Sequence, residues 1–127
     1  MKVLALVFLA TIFSCTVKSQ SKKVFNSTEV DVIPEFNGGE NQMKFFISKN
    51  LKWPSPDFGY SGYAVVSAIV NETGTLDSIT IKKSLCSFCD EEAKRVVSIM
   101  PKWIPARNNH KNVKCEIEIP IHFEIKE

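Results

Sequence analysis

Two cysteines are the residues whose type and spacing most readily suggest chemistry. Cys86 and Cys89 form a C-x-x-C pair just ahead of a helical segment, where a helix N-terminus stabilises a thiolate. Asp90 and Glu91 follow directly, and their negative charge would raise a thiol pKa rather than lower it. The pair also lacks the strand–helix–strand setting of a thioredoxin-type site. We therefore favour a structural disulfide between Cys86 and Cys89, or buried thiols, in an oxidising compartment.

The same cysteines can be combined with His110 and Cys115 into a Cys₃His zinc pattern. Cys115 falls on the apolar face of a predicted strand and His110 in a turn, which disfavours their convergence, so we predict no metal site. If Cys15 is cut away or lipidated, three cysteines remain and one of them is unpaired. We expect a disulfide between Cys86 and Cys89, with Cys115 free.

The other polar residues do not form a catalytic pattern. His122 is predicted to be a solvated strand residue with no acid–base partner. The acidic run Asp90–Glu92 is explained as negative charge at a helix N-terminus. The sequence contains no glycine-rich phosphate loop, nucleophile elbow or paired-carboxylate motif. We predict no catalytic residues, no cofactor and no enzyme activity.

The segment Gly62–Ser84 predicts the central hairpin of a sheet. Two β-branched runs flank Asn71–Gly74, a turn with its positive φ at Gly74. In the first run both alternating sets are apolar or small, which is typical of a strand buried on two faces in the middle of a sheet. The second run turns Ile79 and Ile81 inward.

The remaining elements follow from periodicity. Apolar spacing predicts helices over Glu40–Leu51 and Asp90–Met100. Val113–Ile125 alternates as a strand, and Pro120 within it indicates an open edge because proline lacks an N–H. Glu29–Ile33 could add a short N-terminal edge strand. The predicted fold is α+β in the order (β)αββαβ, a small antiparallel sheet of three main strands with two helices on one face.

The N-terminus predicts export. The chain has 127 residues, enough for one domain. Lys2 precedes an apolar run over residues 3–13 that would span about 16 Å as a helix, too short for a bilayer and typical of a signal peptide. Two processing routes remain open: cleavage after residue 19, or lipidation at Cys15, the only membrane attachment we predict. Residues 20–28 are assigned to a flexible leader and residues 29–127 to the folded domain.

Charge disfavours nucleic-acid binding. Of the 16 basic residues, Lys2 and Lys18 lie in the signal segment, which leaves 14 against 14 acidic residues. A neutral exported domain is poorly suited to neutralising phosphates.

Several short motifs follow one another along the chain: Pro34–Gly39 (PEFNGG), Trp53-Pro54, Gly62, Gly74, Glu92-Ala93, Met100–Trp103 with Pro105, and Pro120–Phe123 (PIHF). Their order and spacing resemble the C-terminal domain of TonB, in the form common in Bacteroidetes-type bacteria, which has Tyr-Pro in place of Trp53-Pro54. The resemblance extends from about Val30 to Ile125.

The resemblance implies a periplasmic domain that binds an extended peptide, the TonB box of outer-membrane transporters, by β-augmentation along its last strand. It implies a transporter segment or another envelope protein as partner. The residues expected to contact the peptide are Trp53, Pro54, Cys115, Glu116, Ile117, Glu118 and Ile119.

This sequence departs from a complete TonB, which has an uncleaved membrane helix and a long proline-rich spacer. We expect a stand-alone exported form that does not transduce energy on its own and binds envelope peptides or assembles with similar domains as a homodimer. The alternatives are a structural envelope lipoprotein and a thiol- or metal-binding exported protein.

Overall fold

The sheet is organised around β2 (Gly62–Val70). A computed structural model describes residues 23–53, 59 and 61–124. β2 pairs antiparallel with β3 (Leu76–Lys83) on one side and with β5 (Lys111–Phe123) on the other, so its predicted central position is confirmed. Its inner face is buried, but Tyr63 on the outer face is 50% exposed. On the same face Val65 and Ile69 are half-buried and Ser67 is buried, so the prediction that β2 is buried on both faces holds only in part for the outer face.

The β2–β3 turn depends on the predicted glycine. Gly74 has a φ of 93°, which favours a residue without a side chain. A Cβ atom there would lie 2.1 Å from the carbonyl oxygen of Trp103. The Trp103 N–H donates to the Gly74 carbonyl at 2.9 Å, so the turn also fixes the segment that follows the second helix.

Two helices cover the inner face of the sheet. α1 (Glu40–Asn50) begins where predicted, and α2 (Ser87–Ser98) begins earlier than predicted and takes in Cys89. The reason is a local cap, because Cys86 Sγ accepts the Cys89 N–H at 2.9 Å although cysteine is not a usual capping residue. Buried residues of both helices pack in one core with β2 and β5, which confirms the α+β class.

The N-terminal segment differs from the prediction. Glu29–Ile33 does not form a strand, and Val32 makes only an isolated bridge with Arg107. Instead β1 (Val24–Phe25), within the segment assigned to a leader, pairs in parallel with β5 and makes the sheet mixed. A two-residue strand has no periodicity that a sequence pattern could reveal.

A further short strand precedes β5. β4 (Ala106–Asn108) is not among the strands predicted from the sequence, and it forms a hairpin with β5. Asn109 and His110 connect them with φ values of 53° and 66°, as a two-residue hairpin turn requires. The strand order is β1-β5-β2-β3, with β4 also on β5.

Residues 1–22, including the predicted signal segment and Cys15, lie outside the described residues. Within residues 23–53, 59 and 61–124, neither helix has the length and apolar character needed to cross a bilayer.

Candidate functional site

The outer side of β5 is paired over only part of its length. Opposite β2, the outer side of β5 pairs with β1 at Lys114 and Cys115. β4 pairs with β5 only at Lys111–Val113, beyond the end of β2. From Glu116 to Phe123, β5 pairs with β2 on its inner side, and none of the described strands occupies its outer side. We call these eight residues the open edge. At about 3.3 Å per residue they extend for roughly 26 Å.

Cys115, which was expected to contact the peptide, does not belong to the open edge. Its backbone lies between Val70 of β2 and Phe25 of β1, and its side chain is fully buried. Burial raises the pKa of the Cys115 thiol, because the low-dielectric interior disfavours the thiolate. The stretch available to a peptide therefore begins at Glu116 and continues to Phe123, beyond the predicted end at Ile119.

Side chains of the open edge alternate between the core and solvent, as predicted. Ile117 is half-buried and Ile119 is 1% exposed, so only the backbone of Ile119 can contact a ligand. Glu116 and Glu118 point to the outer face, where Glu116 accepts a hydrogen bond from the Ser67 hydroxyl at 3.2 Å. Glu118 makes an ion pair with Lys82 of β3 at 2.9 Å.

A groove runs between the open edge and α1, and we call it the edge groove. It consists of two cavities of about 390 and 800 Å³. Glu40 and Met43 of α1 and Glu118 of β5 line both cavities, which makes the groove continuous. The smaller cavity lies towards the N-terminal segment and Trp103, and the larger one towards Trp53.

The two tryptophans lie at opposite ends of the edge groove. Trp53 lines the larger cavity, and its ring packs edge-on against Phe123 with centroids 5.6 Å apart. Trp103 is 8% exposed and packs edge-on against Phe36 at 5.7 Å. Trp53 is thus both a core contact and a groove wall, whereas Trp103 belongs mainly to the core. Pro54 lies outside the described residues.

The family model for the Gram-negative bacterial TonB protein C-terminal matches residues 57–125, more than half of the chain. The chain belongs to the TonB C-terminal family. No protein with a curated description matches it.

Two NMR solution structures of the Helicobacter pylori TonB C-terminal domain resemble this fold. The longer one has a TM-score of 0.50 and 21% identity, over 71% of this chain and 87% of that one. The shorter one has a TM-score of 0.47 and 23% identity, over 70% of this chain and 98% of that one. At this identity the likeness to the longer structure supports the fold alone.

A buried carboxylate positions the Trp53 segment in this TonB C-terminal domain. Glu92 of α2 accepts the backbone N–H of Lys52 at 2.6 Å and two hydrogen bonds from Arg95 at 2.7 and 2.8 Å. Arg95 also donates to the Asn50 carbonyl at 2.7 Å. The end of α1 is thereby attached to α2, directly before Trp53.

This role is not apparent from the sequence, where Glu92 is part of the acidic run Asp90–Glu92 at a helix N-terminus. Glu92 is only 6% exposed, and hydrogen bonds from Arg95 hold the pKa of its carboxyl below the ordinary value. A signal was present in the Glu-x-x-Arg spacing, which places Glu92 and Arg95 on one helix face.

The cysteines of this TonB C-terminal domain lie away from the lining of the edge groove. Cys86 and Cys89 form a disulfide in the first turn of α2, and Cys115 is a free thiol. Among the described residues no three His, Cys, Asp or Glu side chains are grouped so that they could hold a metal ion. His110 lies in the β4–β5 turn and His122 stacks on Tyr63, with ring centroids 4.5 Å apart.

Proposed function

We propose that this TonB C-terminal domain binds an extended peptide by strand addition to the open edge, Glu116–Phe123. Membership of the family supports interaction with outer-membrane transporters in the cell envelope. We further propose that the peptide is a periplasmic transporter segment of the TonB-box type. The observation that carries the proposal is the unpaired outer side of β5 next to the edge groove.

Strand addition uses two kinds of contact. Backbone hydrogen bonds along the open edge supply affinity that does not depend on the peptide sequence. Alternate side chains of the peptide enter pockets, which supply specificity. On the inward side they would meet Met43 of α1 and Phe36, which line the edge groove. On the other side they would lie on the solvent face beside Glu118. TonB C-terminal domains are non-enzymatic interaction domains, and this mode of binding needs no catalytic residue.

The protein's own chain limits the peptide at one end. β1 occupies the outer side of Lys114 and Cys115. The turn after β1 is closed by a hydrogen bond from the Glu29 N–H to the Asn26 carbonyl at 3.0 Å, and Ser27 in that turn lines the smaller cavity. A bound strand longer than about eight paired residues would therefore have to displace β1.

The test uses peptides that contain the TonB boxes of outer-membrane transporters from the same bacterium, added to the ¹⁵N-labelled protein. We expect amide shifts concentrated in Glu116–Phe123. In a two-strand ladder only every second amide of the peptide faces the partner. N-methylation of the peptide amides that face β5 should therefore abolish binding. N-methylation of the amides that face away should leave most of the affinity intact.

A matched pair of α1 variants tests the groove wall. Met43→Ala removes a side chain that lines both cavities, and we expect about a fivefold loss of affinity, equivalent to roughly 1 kcal/mol of apolar contact. Phe45→Ala is the control, since Phe45 is 61% exposed and does not line the groove. Shifts concentrated away from β5 and the edge groove, or equal effects of both methylation patterns, would contradict strand addition.

A further inference from the structure

The edge groove is acidic along its whole length. Glu35 and Glu40 border the smaller cavity, Glu40 and Glu124 border the larger one, and Glu118 borders both. Among the described residues that line either cavity, Lys44 is the only lysine or arginine. Since basic and acidic residues balance outside the signal segment, this excess of carboxylates belongs to the groove and not to the chain as a whole.

Two of these carboxylates have lysine partners that leave them exposed. Glu40 and Lys44 are 3.6 Å apart, with side chains 70% and 69% exposed. Glu118 and Lys82 are 2.9 Å apart, with side chains 51% and 58% exposed. Glu35 and Glu124 make no ion pair within the described part of the chain. Exposed pairs of this kind exchange partners at little cost, so neither lysine prevents its carboxylate from pairing with an incoming cation.

We infer that the peptide bound in the edge groove carries lysine or arginine side chains at more than one position, interspersed with apolar residues. The inference rests on the proposed function, because it concerns the occupant of the same open edge. Carboxylates border both cavities, so a bound strand of eight residues could place a cationic side chain next to a carboxylate at more than one of its positions. Lysine and arginine can also lay their apolar stems on Met43 and Ile117 while their charged ends reach the groove rim.

Charge complementarity of this kind acts mainly on partner choice and on the rate of encounter. An acidic peptide would place like charges opposite the Glu residues, and this repulsion would exclude it even where backbone pairing is equally good. Because the groove carboxylates are exposed, the preference should weaken as salt screens them.

The experiment compares three synthetic peptides with one alternating apolar frame and Lys, Gln or Glu at the same two positions. Each is titrated into the ¹⁵N-labelled protein at about 20 mM and 500 mM salt. We expect the shifts to concentrate in Glu116–Phe123 and in the residues that line the edge groove. We expect the Lys peptide to bind about tenfold more tightly than the Glu peptide at low salt. At high salt the difference should shrink to about twofold.

Charge-reversal variants provide the matched control. Glu35→Lys changes an exposed groove residue and should remove most of the preference for the Lys peptide, while affinity for the Gln peptide is retained. Glu91→Lys changes the same charge on α2, where Glu91 is 77% exposed and lies outside the edge groove, and should leave the preference intact.

The outcomes separate the two proposals. If the Gln peptide shifts the open edge but all three peptides bind equally, the charge inference is wrong and strand addition stands. If Glu35→Lys and Glu91→Lys have the same effect, the preference arises from overall charge and the inference is again wrong. If no peptide shifts the amides of Glu116–Phe123, both proposals are overturned.

Discussion

Glu92 illustrates how a single residue connects the helices to the groove. Its carboxylate lies between α1 and α2, is 6% exposed, and accepts hydrogen bonds from Arg95 and from the Lys52 backbone. A buried charge is tolerated only when it is paired and hydrogen-bonded. Both conditions are met here, and the next residue along the chain after Lys52 is Trp53 of the groove wall.

We predict that Glu92→Gln destabilises the domain at neutral pH by about 1.5 kcal/mol, because it weakens the charged hydrogen bonds that Glu92 accepts from Arg95 and from the Lys52 N–H. The folded-state pKa of Glu92 lies below its ordinary value of 4.5. Its stabilising contribution is therefore complete above that value and is lost as pH falls through the lower, folded pKa. Urea unfolding at pH 7 and pH 3 should show a large difference between wild type and variant at pH 7 and a smaller one at pH 3.

Glu91→Gln is the control for this measurement. Glu91 is the neighbouring residue, 77% exposed in a weak pair with Lys94, and its loss should change stability by less than about 0.5 kcal/mol. An equal loss of stability for Glu92→Gln at both pH values would show that packing, and not charge, makes its contribution.

At the scale of elements, β1 decides how much of β5 is open. Only two residues hold it, Val24 opposite Lys114 and Phe25 opposite Cys115, and Val24 is 41% exposed. A strand this short and exposed is expected to open locally with a small free energy. Release of β1 would lengthen the open edge by two residues and remove the neighbouring strand from beside Cys115.

We predict that Phe25→Ala raises the labelling rate of Cys115 by a thiol reagent by about tenfold, because local opening of β1 becomes easier. Cys115 is the only free cysteine among the described residues. The measurement is made in a Cys15→Ser background, so that the reagent does not label Cys15, which lies outside the described residues. Labelling is followed under native conditions. Val32→Ala serves as control, since Val32 is 51% exposed and lies after β1. An unchanged rate in Phe25→Ala would mean that Cys115 becomes accessible only through global unfolding.

At the scale of the whole molecule, β2 is the strand that most of the structure surrounds. It pairs on both sides and carries fully buried residues, including Val66 and Val70. β5 has the same kind of core face, but no strand of the described residues pairs with its outer side from Glu116 to Phe123. The domain therefore has one strand protected on both edges and one long strand protected on a single edge along most of its length.

Hydrogen exchange should report this difference directly. We predict that β2 amides exchange most slowly, while amides in Glu116–Phe123 alternate between slow exchange, where they bond to β2, and fast exchange, where they face outward. Addition of a bound peptide should slow the fast set and leave β2 unchanged. Uniform slow exchange along Glu116–Phe123 in the free protein would show that the open edge is already covered.

Local patterns in the sequence predicted the elements that carry their own periodicity. The start of α1, the hairpin with Gly74 at its turn, the central position of β2 and the inward face of β5 all follow from the spacing of apolar residues and from backbone sterics. The short motifs from Pro34 to Phe123 were sufficient to predict the family. These features depend on neighbours within a few residues, so they can be read without knowledge of the fold.

Contacts between distant segments were decided only by the tertiary structure. β1 has two residues and pairs with β5 roughly 90 positions later. No local sequence pattern predicts a strand this short, yet its pairing excludes Cys115 from the open edge. Glu92 and Lys52 meet across 40 positions, and the edge groove exists only because α1 lies beside β5. The sequence alone determined that one strand would have an unpaired side. Its length, its limits and its acidic surroundings depend on long-range packing, which local periodicity does not encode.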